Sequence, residues 1–187
     1  VYPLPEAQRD RFLLKVDVPY PKGNEEFEIL RRMSVLPPTP TPVLNPALTL
    51  QLQDLASHVF VHNLVAEYIV RLVLATRNPA EFNMPDLTRV IQIGNSSRAT
   101  LGLTAAARAV ALIHGRDYVL PTDVQAIAKD VMAHRLVLSF DAIADNISAL
   151  QVVERILAMV PAPTPVWNRQ QRAASHGQHR HQPNFNG

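Results

Sequence analysis

Apolar residues recur every three or four positions along most of this chain, a spacing typical of amphipathic helices. Two such segments lie in the middle of the chain, over residues 48–59 and 65–73. A longer segment follows over residues 97–114, and its many alanines permit close contact between helices. Its inner stripe is predicted to consist of Ala99, Leu103, Ala106, Val110 and Ile113. The pattern therefore predicts a mainly α fold.

Prolines and glycines mark the breaks between these segments. Pro79 ends the second segment, and a loop is predicted from there to Gly94. Gly115 ends the long helix, because glycine readily adopts the left-handed backbone that follows many helices. Pro121 is predicted to be the first residue of the next helix, and a last helix over residues 152–157 closes the domain. The inward side chains of the helix at Pro121 are predicted to be Val124, Ile127, Ala128 and Val131.

Two short apolar runs lack helical spacing and are predicted to be extended. Residues 13–18 have the composition of the last strand of a sheet, and residues 134–138 are expected to form extended chain. The chain begins at Val1 rather than at a methionine, and no segment ahead of it supplies the rest of that sheet. We therefore expect the chain to be the C-terminal piece of a larger protein.

A helix and a stiff connector are predicted between the first run and the helical domain. Asn24 can cap this helix, and Glu25 and Glu26 then lie in its first turn, where the helix dipole favours negative charge. The helix is expected to end before the prolines of residues 37–42, which cannot continue it. At the other end of the chain, residues 168–187 have too few aliphatic side chains to order themselves, which predicts a disordered tail.

Composition excludes several classes of protein. The chain contains no cysteine, which rules out disulfides, thiolate metal sites and a cysteine nucleophile. No apolar run approaches the roughly 18 residues that are needed to cross a bilayer, so no membrane span is predicted. The formal net charge is only +2 and is scattered along the chain, so nucleic acid is not an expected partner.

Arg98 is the first candidate for a functional side chain. It follows Gly94 and two serines, Ser96 and Ser97, at the predicted start of the long helix. Free backbone N–H groups and the helix dipole favour anions at such a position. An arginine in the first helical turn can bind a phosphate through two hydrogen bonds. The alternative is a solvated arginine that follows a serine cap.

Arg11 is the second candidate, because it stands between an acid and an aromatic residue just before the predicted strand. Its alternative role is an ion pair with a nearby carboxylate, either Asp10 or Glu6.

Other chemical signatures are weak or missing. The six glycines do not have the spacing of a phosphate-binding loop, so the chain lacks a nucleotide cradle of its own. His58 and His62 are four positions apart on one predicted helix face and could offer two metal ligands, but no third ligand follows. We therefore predict surface or interface histidines and no metal site. No serine stands in a nucleophile elbow.

Several segments together resemble one protein family, the MoxR-type AAA+ ATPases. They follow each other in the family's order through most of the chain, to about Pro161, which is more specific than any single motif. The segments are residues 3–8, 10–15, 68–70, 75–77, 94–99, 106–109, 115–119, 121–124 and 134–138.

The resemblance implies a fold and a division of the chain. The expected fold is a mainly α AAA+ helical lid bundle that follows a short remnant of the α/β core. Residues 1–21 would be the end of the core, and residues 22–45 a linker helix with a proline-rich connector. Residues 46–161 would be the lid, and residues 162–187 the disordered tail. The family's Walker A and B elements would lie upstream of Val1.

The resemblance also implies roles for individual residues. Arg98, together with Ser97, corresponds to the sensor-2 position, which reaches the phosphates of a nucleotide bound in the same subunit. Arg11 corresponds to the arginine finger, which points at the nucleotide of a neighbouring subunit. Arg9 replaces the leucine that is usual beside the finger, so it stays open whether Arg9 or Arg11 faces the neighbouring subunit. The expected cofactors are ATP and Mg²⁺ in the complete protein, and none for the isolated chain, which is expected to be inactive.

The family further implies a cytoplasmic protein that assembles into a ring, expected to be a hexamer. Such a ring would remodel or activate clients, including proteins with von Willebrand factor A domains. Two non-enzymatic alternatives stay open at this point, a helical DNA reader and an adaptor that docks a protein partner. The alanine-rich helix favours packing over DNA recognition, because a reader would need a dense basic helix.

Overall fold

The computed structural model describes residues 4–34 and 39–164, and the fold of these residues is mainly helical. The described helices, labelled in chain order, are α1 (Glu6–Arg9), α2 (Gly23–Met33), α3 (Pro46–His58), α4 (Asn63–Arg77), α5 (Ser97–Ile113), α6 (Pro121–Met132), α7 (Phe140–Ala144) and α8 (Ala149–Met159). Two strands, β1 (Ile91–Ile93) and β2 (Val137–Leu138), form a small antiparallel pair. Short 3₁₀ turns occupy Pro79–Phe82, Pro85–Thr88 and Ala133–Arg135. The predicted mainly α fold is confirmed.

Several helix ends lie where local sequence signals place them. Asn45 accepts a hydrogen bond from the backbone N–H of Leu48 at 2.8 Å, which caps α3 immediately before its first proline. Pro121 is the first residue of α6, as predicted. Gly115 follows α5 with a φ of 69°, a backbone conformation that costs glycine little.

The core lies between α4, α5, α6 and α8. Its largest fully buried side chains include Tyr68, Ile69 and Leu72 from α4, Leu103 from α5, Val124, Val131 and Met132 from α6, and Ile156 from α8. Small residues on α5 let α6 approach it closely. Most of the stability of these helices is expected to come from this burial, because short helices are marginal on their own.

The buried face of α5 differs from the predicted one. Ala99, Leu103 and Ala106 are buried as predicted, but Ala107 and Ala111 replace Val110 and Ile113, and Ile113 is 82% exposed. The buried positions follow a spacing of four residues, and Ile113 comes only two residues after Ala111. Ile113 also follows Ala106 by seven residues, about two helical turns, so it lies on the same side of α5, but it is the last residue of the helix and no other element of the described chain covers it.

The predicted strand over residues 13–18 is not a strand. This segment is exposed and forms neither helix nor strand, and within the described chain no neighbouring strand pairs with its backbone groups. A strand needs such a neighbour, since its N–H and C=O groups must be paired. The backbone N–H of Lys15 instead donates to the carbonyl of Asp130 at 2.9 Å, which attaches the segment to α6.

Residues 134–138 are only partly extended. Residues up to Arg135 belong to a 3₁₀ turn, and β2 alone is a strand, paired with β1 through Ile91 opposite Leu138 and Ile93 opposite Val137. The sequence predicted a plain loop where β1 lies, because a strand of three residues has too short a pattern to recognise. The short helix α7 was likewise not predicted.

Helices α2 and α3 contain no buried residues. The first of them begins at Gly23, and the backbone N–H of Lys22 donates to Glu25 at 2.7 Å, so the predicted cap at Asn24 is wrong by two positions. Residues 39–45 of the predicted connector form no helix or strand. Residues 35–38 and the predicted tail from residue 165 onward lie outside the described residues.

Within the described ranges, no helix has the length and apolarity that a bilayer span requires.

Candidate functional site

The carboxylate of Asp10 joins the N-terminal segment to the helical domain. Its two oxygens each lie 2.9 Å from the hydroxyl of Ser96, and Oδ2 lies 3.0 Å from Nη1 of Arg98. Oδ1 also forms an ion pair with Nε of Arg135 at 3.3 Å. One carboxylate from the start of the chain therefore binds two elements of the domain, the N-terminus of α5 and the turn after α6.

The local environment of the Asp10 carboxyl group lowers its pKa. Burial alone would raise the pKa of this carboxyl group. The hydrogen bonds from Arg98 and Ser96, together with the positive charges of Arg135 and Arg98, outweigh burial and hold the pKa below its usual value. Asp10 is therefore a carboxylate at neutral pH and can accept all of these bonds.

Arg135 is the buried anchor of this interface. Its side chain is 3% exposed, and its guanidinium donates to the carbonyl of Phe12 at 2.6 Å and to that of Leu13 at 3.2 Å. It also donates to the carbonyl of Val131 in its own domain. Burial lowers the pKa of Arg135, while the charge of Asp10 raises it, and a guanidinium stays protonated in proteins. The segment after Asp10 is thus held by charge-assisted hydrogen bonds to its backbone.

His134 holds the same segment from the neighbouring position. Its Nε2 lies 3.0 Å from the carbonyl of Phe12, and its Nδ1 lies 3.0 Å from the carbonyl of Asp130. Burial lowers the pKa of His134, and the charge of Arg135 acts in the same direction, whereas the two carbonyls raise it. A neutral imidazole has one N–H, so it can donate to only one of the two carbonyls at a time.

The N-terminus of α5 has the geometry expected for an anion site. Ser96 is the N-cap and accepts a hydrogen bond from the backbone N–H of Arg98 at 3.2 Å. Ser97 is the first residue of the helix and is exposed, and the side chain of Arg98 is 55% exposed. The predicted pair, Ser97 and Arg98, therefore lies in the first turn at the surface, where the helix dipole favours negative charge.

The loop before α5 is fixed against the end of α4. The backbone N–H of Asn95 donates to Oγ1 of Thr76 at 2.9 Å, and Nε of Arg77 donates to the carbonyl of Asn95 at 2.7 Å. A Cβ atom at Gly94 would lie 2.5 Å from the carbonyl oxygen of Thr76, so only glycine fits this contact. The side chain of Asn95 is buried, and its amide has no hydrogen-bond partner in the described part of the chain. Tight packing of this loop positions the first turn of α5.

Arg11 lies in the turn after α1 and is exposed. Among the described residues its side chain forms no ion pair, so the alternative of a bond to Asp10 or Glu6 is not observed. Asp10 is instead occupied by Arg98 and Arg135. Arg9, by contrast, is half-buried, and its Nε has no hydrogen-bond partner in the described chain. Of the two arginines beside Asp10, Arg11 is therefore the one that presents its side chain to solvent.

The two histidines that are four positions apart do not share a helix face. His58 is the last residue of α3, and its Nδ1 lies 2.8 Å from the carbonyl of Asp54. His62 lies beyond the end of that helix and caps α4 through the backbone N–H of Leu64 at 3.2 Å. Over residues 4–34 and 39–164, no group of three or more histidine, aspartate or glutamate side chains could hold a metal ion.

Sequence reasoning missed most of the residues that complete this site. Asp10 was considered only as a partner of Arg11, and Ser96 only as part of a serine pair. Arg135 was predicted to lie in an extended run, although an arginine directly before an apolar run is itself a signal of a buried ion pair. These residues are far apart in the sequence, and no local pattern connects them.

The comparisons with known proteins match this region. A model described as an AAA lid domain matches residues 87–156, which contain α5 to most of α8. The crystal structure of a provisionally assigned ATPase from Cytophaga hutchinsonii is similar to this chain, with a TM-score of 0.83 and 36% identity, and covers 87% of this chain and 50% of that one.

Two curated relatives extend the similarity beyond the residues that the lid model matches. Chaperone MoxR1 of Mycobacterium tuberculosis is 50% identical over 163 residues, which are 87% of this chain and 43% of that protein. YeaC of Bacillus subtilis, an uncharacterized protein, is 37% identical over 164 residues, which are 87% of this chain and 48% of that protein. The chain spans about half the length of the curated relatives it matches.

Proposed function

Since this chain belongs to the MoxR-type AAA+ ATPases, we propose that the complete protein hydrolyses ATP and uses the hydrolysis to remodel or activate client proteins. The observation that carries the proposal is the exposed guanidinium of Arg98 at the N-terminus of α5, held there by Asp10. A guanidinium at a helix N-terminus is suited to a phosphate, because charge, dipole and bidentate geometry all favour it.

In this function, Arg98 is the sensor-2 residue of its own subunit, and Ser97 lies beside it in the first turn. Its half-exposed side chain can reach a phosphate without first breaking a buried contact. The loop through Gly94 and Asn95 supports this role, because its hydrogen bonds to Thr76 and Arg77 attach the helix N-terminus to the end of α4. The phosphates of ATP therefore fit the residues at this end of the helix.

Arg11 is the proposed arginine finger for the neighbouring subunit. Its exposure and the anchored backbone of the next two residues, Phe12 and Leu13, support this role. Phosphoryl transfer is accelerated mainly by positioning and by neutralising charge, and a finger arginine contributes about 10³–10⁵-fold to the rate in other NTPases. Such a role requires assembly into a ring, which we propose to be a hexamer.

ATP and Mg²⁺ are the proposed cofactors of the complete protein. The described part of this chain offers no carboxylate cluster for the metal ion. The Walker elements are expected in the half of the family's length that this chain does not span. The isolated chain is therefore expected neither to bind ATP tightly nor to hydrolyse it. A cytoplasmic location and clients with von Willebrand factor A domains complete the proposal.

The experiment that tests the function compares variants of the complete protein in an ATPase assay. Arg98→Ala is expected to weaken nucleotide binding, and Arg11→Ala to stop turnover while nucleotide still binds. Arg155→Ala is the matched control, because Arg155 is an equally exposed arginine that pairs with Asp86 elsewhere in the domain. If Arg98→Ala and Arg155→Ala have the same small effect on binding and turnover, the sensor role is wrong.

A mixing experiment tests the finger separately. Arg11→Ala subunits keep their own nucleotide site, whereas subunits with a disabled Walker element keep their own finger. Mixed rings therefore contain some boundaries at which both parts are intact. Partial recovery of turnover on mixing is expected, and a complete lack of recovery would contradict a finger that acts between subunits.

A further inference from the structure

Asp10 binds the guanidinium of Arg98, which the proposed function assigns to a phosphate. Its Oδ2 is 3.0 Å from Nη1 of Arg98, which is a full charge-assisted hydrogen bond. A carboxylate and a phosphate present similar oxygen acceptors to arginine, so the two compete for the same donors. Nucleotide binding through Arg98 therefore has to replace or share this contact.

The partners of Asp10 differ in how easily they can be given up. Arg98 is 55% exposed, whereas Arg135 is 3% exposed and also binds the backbone of Phe12. An exposed ion pair is weak, and a buried one is costly to break. If Arg98 leaves, Asp10 keeps the hydroxyl of Ser96 and the charge of Arg135. The contact with Arg98 is thus the one that can open while the rest of the interface stays intact.

We propose that Asp10 is the partner of Arg98 in the nucleotide-free protein and that a nucleotide phosphate displaces it, so that Asp10 tunes nucleotide affinity. The inference rests on the proposed sensor role of Arg98. Asp10 is then a positioning residue that acts through Arg98. It holds the arginine at the helix N-terminus, ready for the phosphate, and lowers the affinity by the strength of the contact that must open.

The same carboxylate connects the two arginines of the proposed function. Arg11 follows Asp10 directly. Arg135 in turn binds the carbonyls of Phe12 and Leu13 and so attaches them to the domain that carries Arg98. Displacement of Asp10 from Arg98 therefore changes the contacts of the residue next to the proposed finger. This displacement takes place within one subunit, at the single bond between Asp10 and Arg98.

The test measures binding of the non-hydrolysable ATP analogue AMP-PNP to the complete protein by titration calorimetry. Asp10→Asn removes the competing charge and is expected to tighten binding by about two- to fivefold, the range of an exposed ion pair. Asp10→Asn in an Arg98→Ala background is expected to have no further effect on binding. Asp17→Asn is the matched control, because Asp17 is an exposed carboxylate in the same segment that pairs with Lys15 and not with the domain.

The outcomes separate this inference from the proposed function. If Arg98→Ala weakens binding but Asp10→Asn leaves it unchanged or weakens it, the function stands and the inference is wrong. If Arg98→Ala itself has no effect on binding, both are wrong. An effect of Asp10→Asn that persists without Arg98 also overturns the inference, because it then acts through the fold. If circular dichroism shows that the Asp10→Asn variant does not fold, Asp10→Ser supplies a smaller neutral side chain for the same measurements.

Discussion

Asp10 and Arg98 lie 88 positions apart in the sequence, yet Oδ2 of Asp10 is 3.0 Å from Nη1 of Arg98. This bond joins the segment that carries the proposed finger to the helix that carries the proposed sensor. Ser96 and Arg135 bind the same carboxylate, so the junction is a network and not a single pair. Its members are expected to show non-additive effects when they are substituted together.

Arg135→Met is expected to destabilise the chain more than any substitution of an exposed arginine. It removes a buried charge together with hydrogen bonds to the carbonyls of Phe12 and Leu13, and it leaves Asp10 with fewer partners. We expect a loss of about 3–5 kcal/mol in the free energy of unfolding, the range for removing one partner of a buried ion pair. Urea denaturation followed by circular dichroism measures this loss.

The control is Arg155→Met, which removes an arginine from an exposed pair with Asp86. Exposed pairs contribute at most about 1 kcal/mol, so this variant is expected to remain close to the parent. Equal losses for the two variants would mean that the N-terminal segment is not anchored through Arg135.

Ser96→Ala is expected to be more harmful than Ser97→Ala. Ser96 caps α5 and donates to both oxygens of Asp10, whereas Ser97 is an exposed residue of the first turn. Loss of a serine cap costs about 0.5–2 kcal/mol, and an exposed substitution usually stays within about 0.5 kcal/mol. The midpoint of thermal unfolding of the two variants checks the order. A lower midpoint for Ser97→Ala would show that the cap is one residue later.

Local signals accounted for much of the fold. Pro121 and Gly115 predicted the ends of two helices correctly, because a proline at a first position and a glycine after a helix act on their own backbone. The mainly α fold was confirmed for the same reason, since helical spacing is a local property, whereas the AAA+ lid was implied by the family resemblance and is supported by the family match. Ile113 was predicted to be buried and is exposed, because it is the last residue of α5 and whether an end residue is covered depends on the elements that pack around it.

The candidate site was only half predictable. Arg98 at a helix N-terminus follows from the glycine and serines before it, and the structure places it there. The bond to Asp10 could not be predicted, because it depends on how two distant segments pack. The prediction of a strand over residues 13–18 was wrong for a related reason. Their composition favours a strand, but whether a strand forms depends on the neighbour that it meets.

Gly94→Ala is expected to destabilise the chain and to disturb the start of α5. The added Cβ would lie 2.5 Å from the carbonyl oxygen of Thr76, which is a collision with backbone that no side-chain rotation can relieve. Overpacking of this kind costs about 1–3 kcal/mol. Gly23→Ala is the control, because a Cβ there meets nothing within 4 Å and lies in the first turn of α2. Thermal unfolding should therefore separate the two variants, and equal midpoints would contradict the close contact.

His134 is expected to make the stability of the chain depend on pH. Its pKa in the folded protein is lowered from 6.5, chiefly by burial, so the unfolded chain takes up the proton more readily than the folded one. Its contribution to stability is therefore fully present above about pH 6.5 and is lost as the pH falls through the lower, folded-state pKa. His134→Gln retains a donor for the carbonyl of Phe12 but cannot titrate. Thermal midpoints between pH 7.5 and 5.5 should fall more steeply for the parent chain than for His134→Gln, and parallel curves would show that His134 does not titrate in this interface.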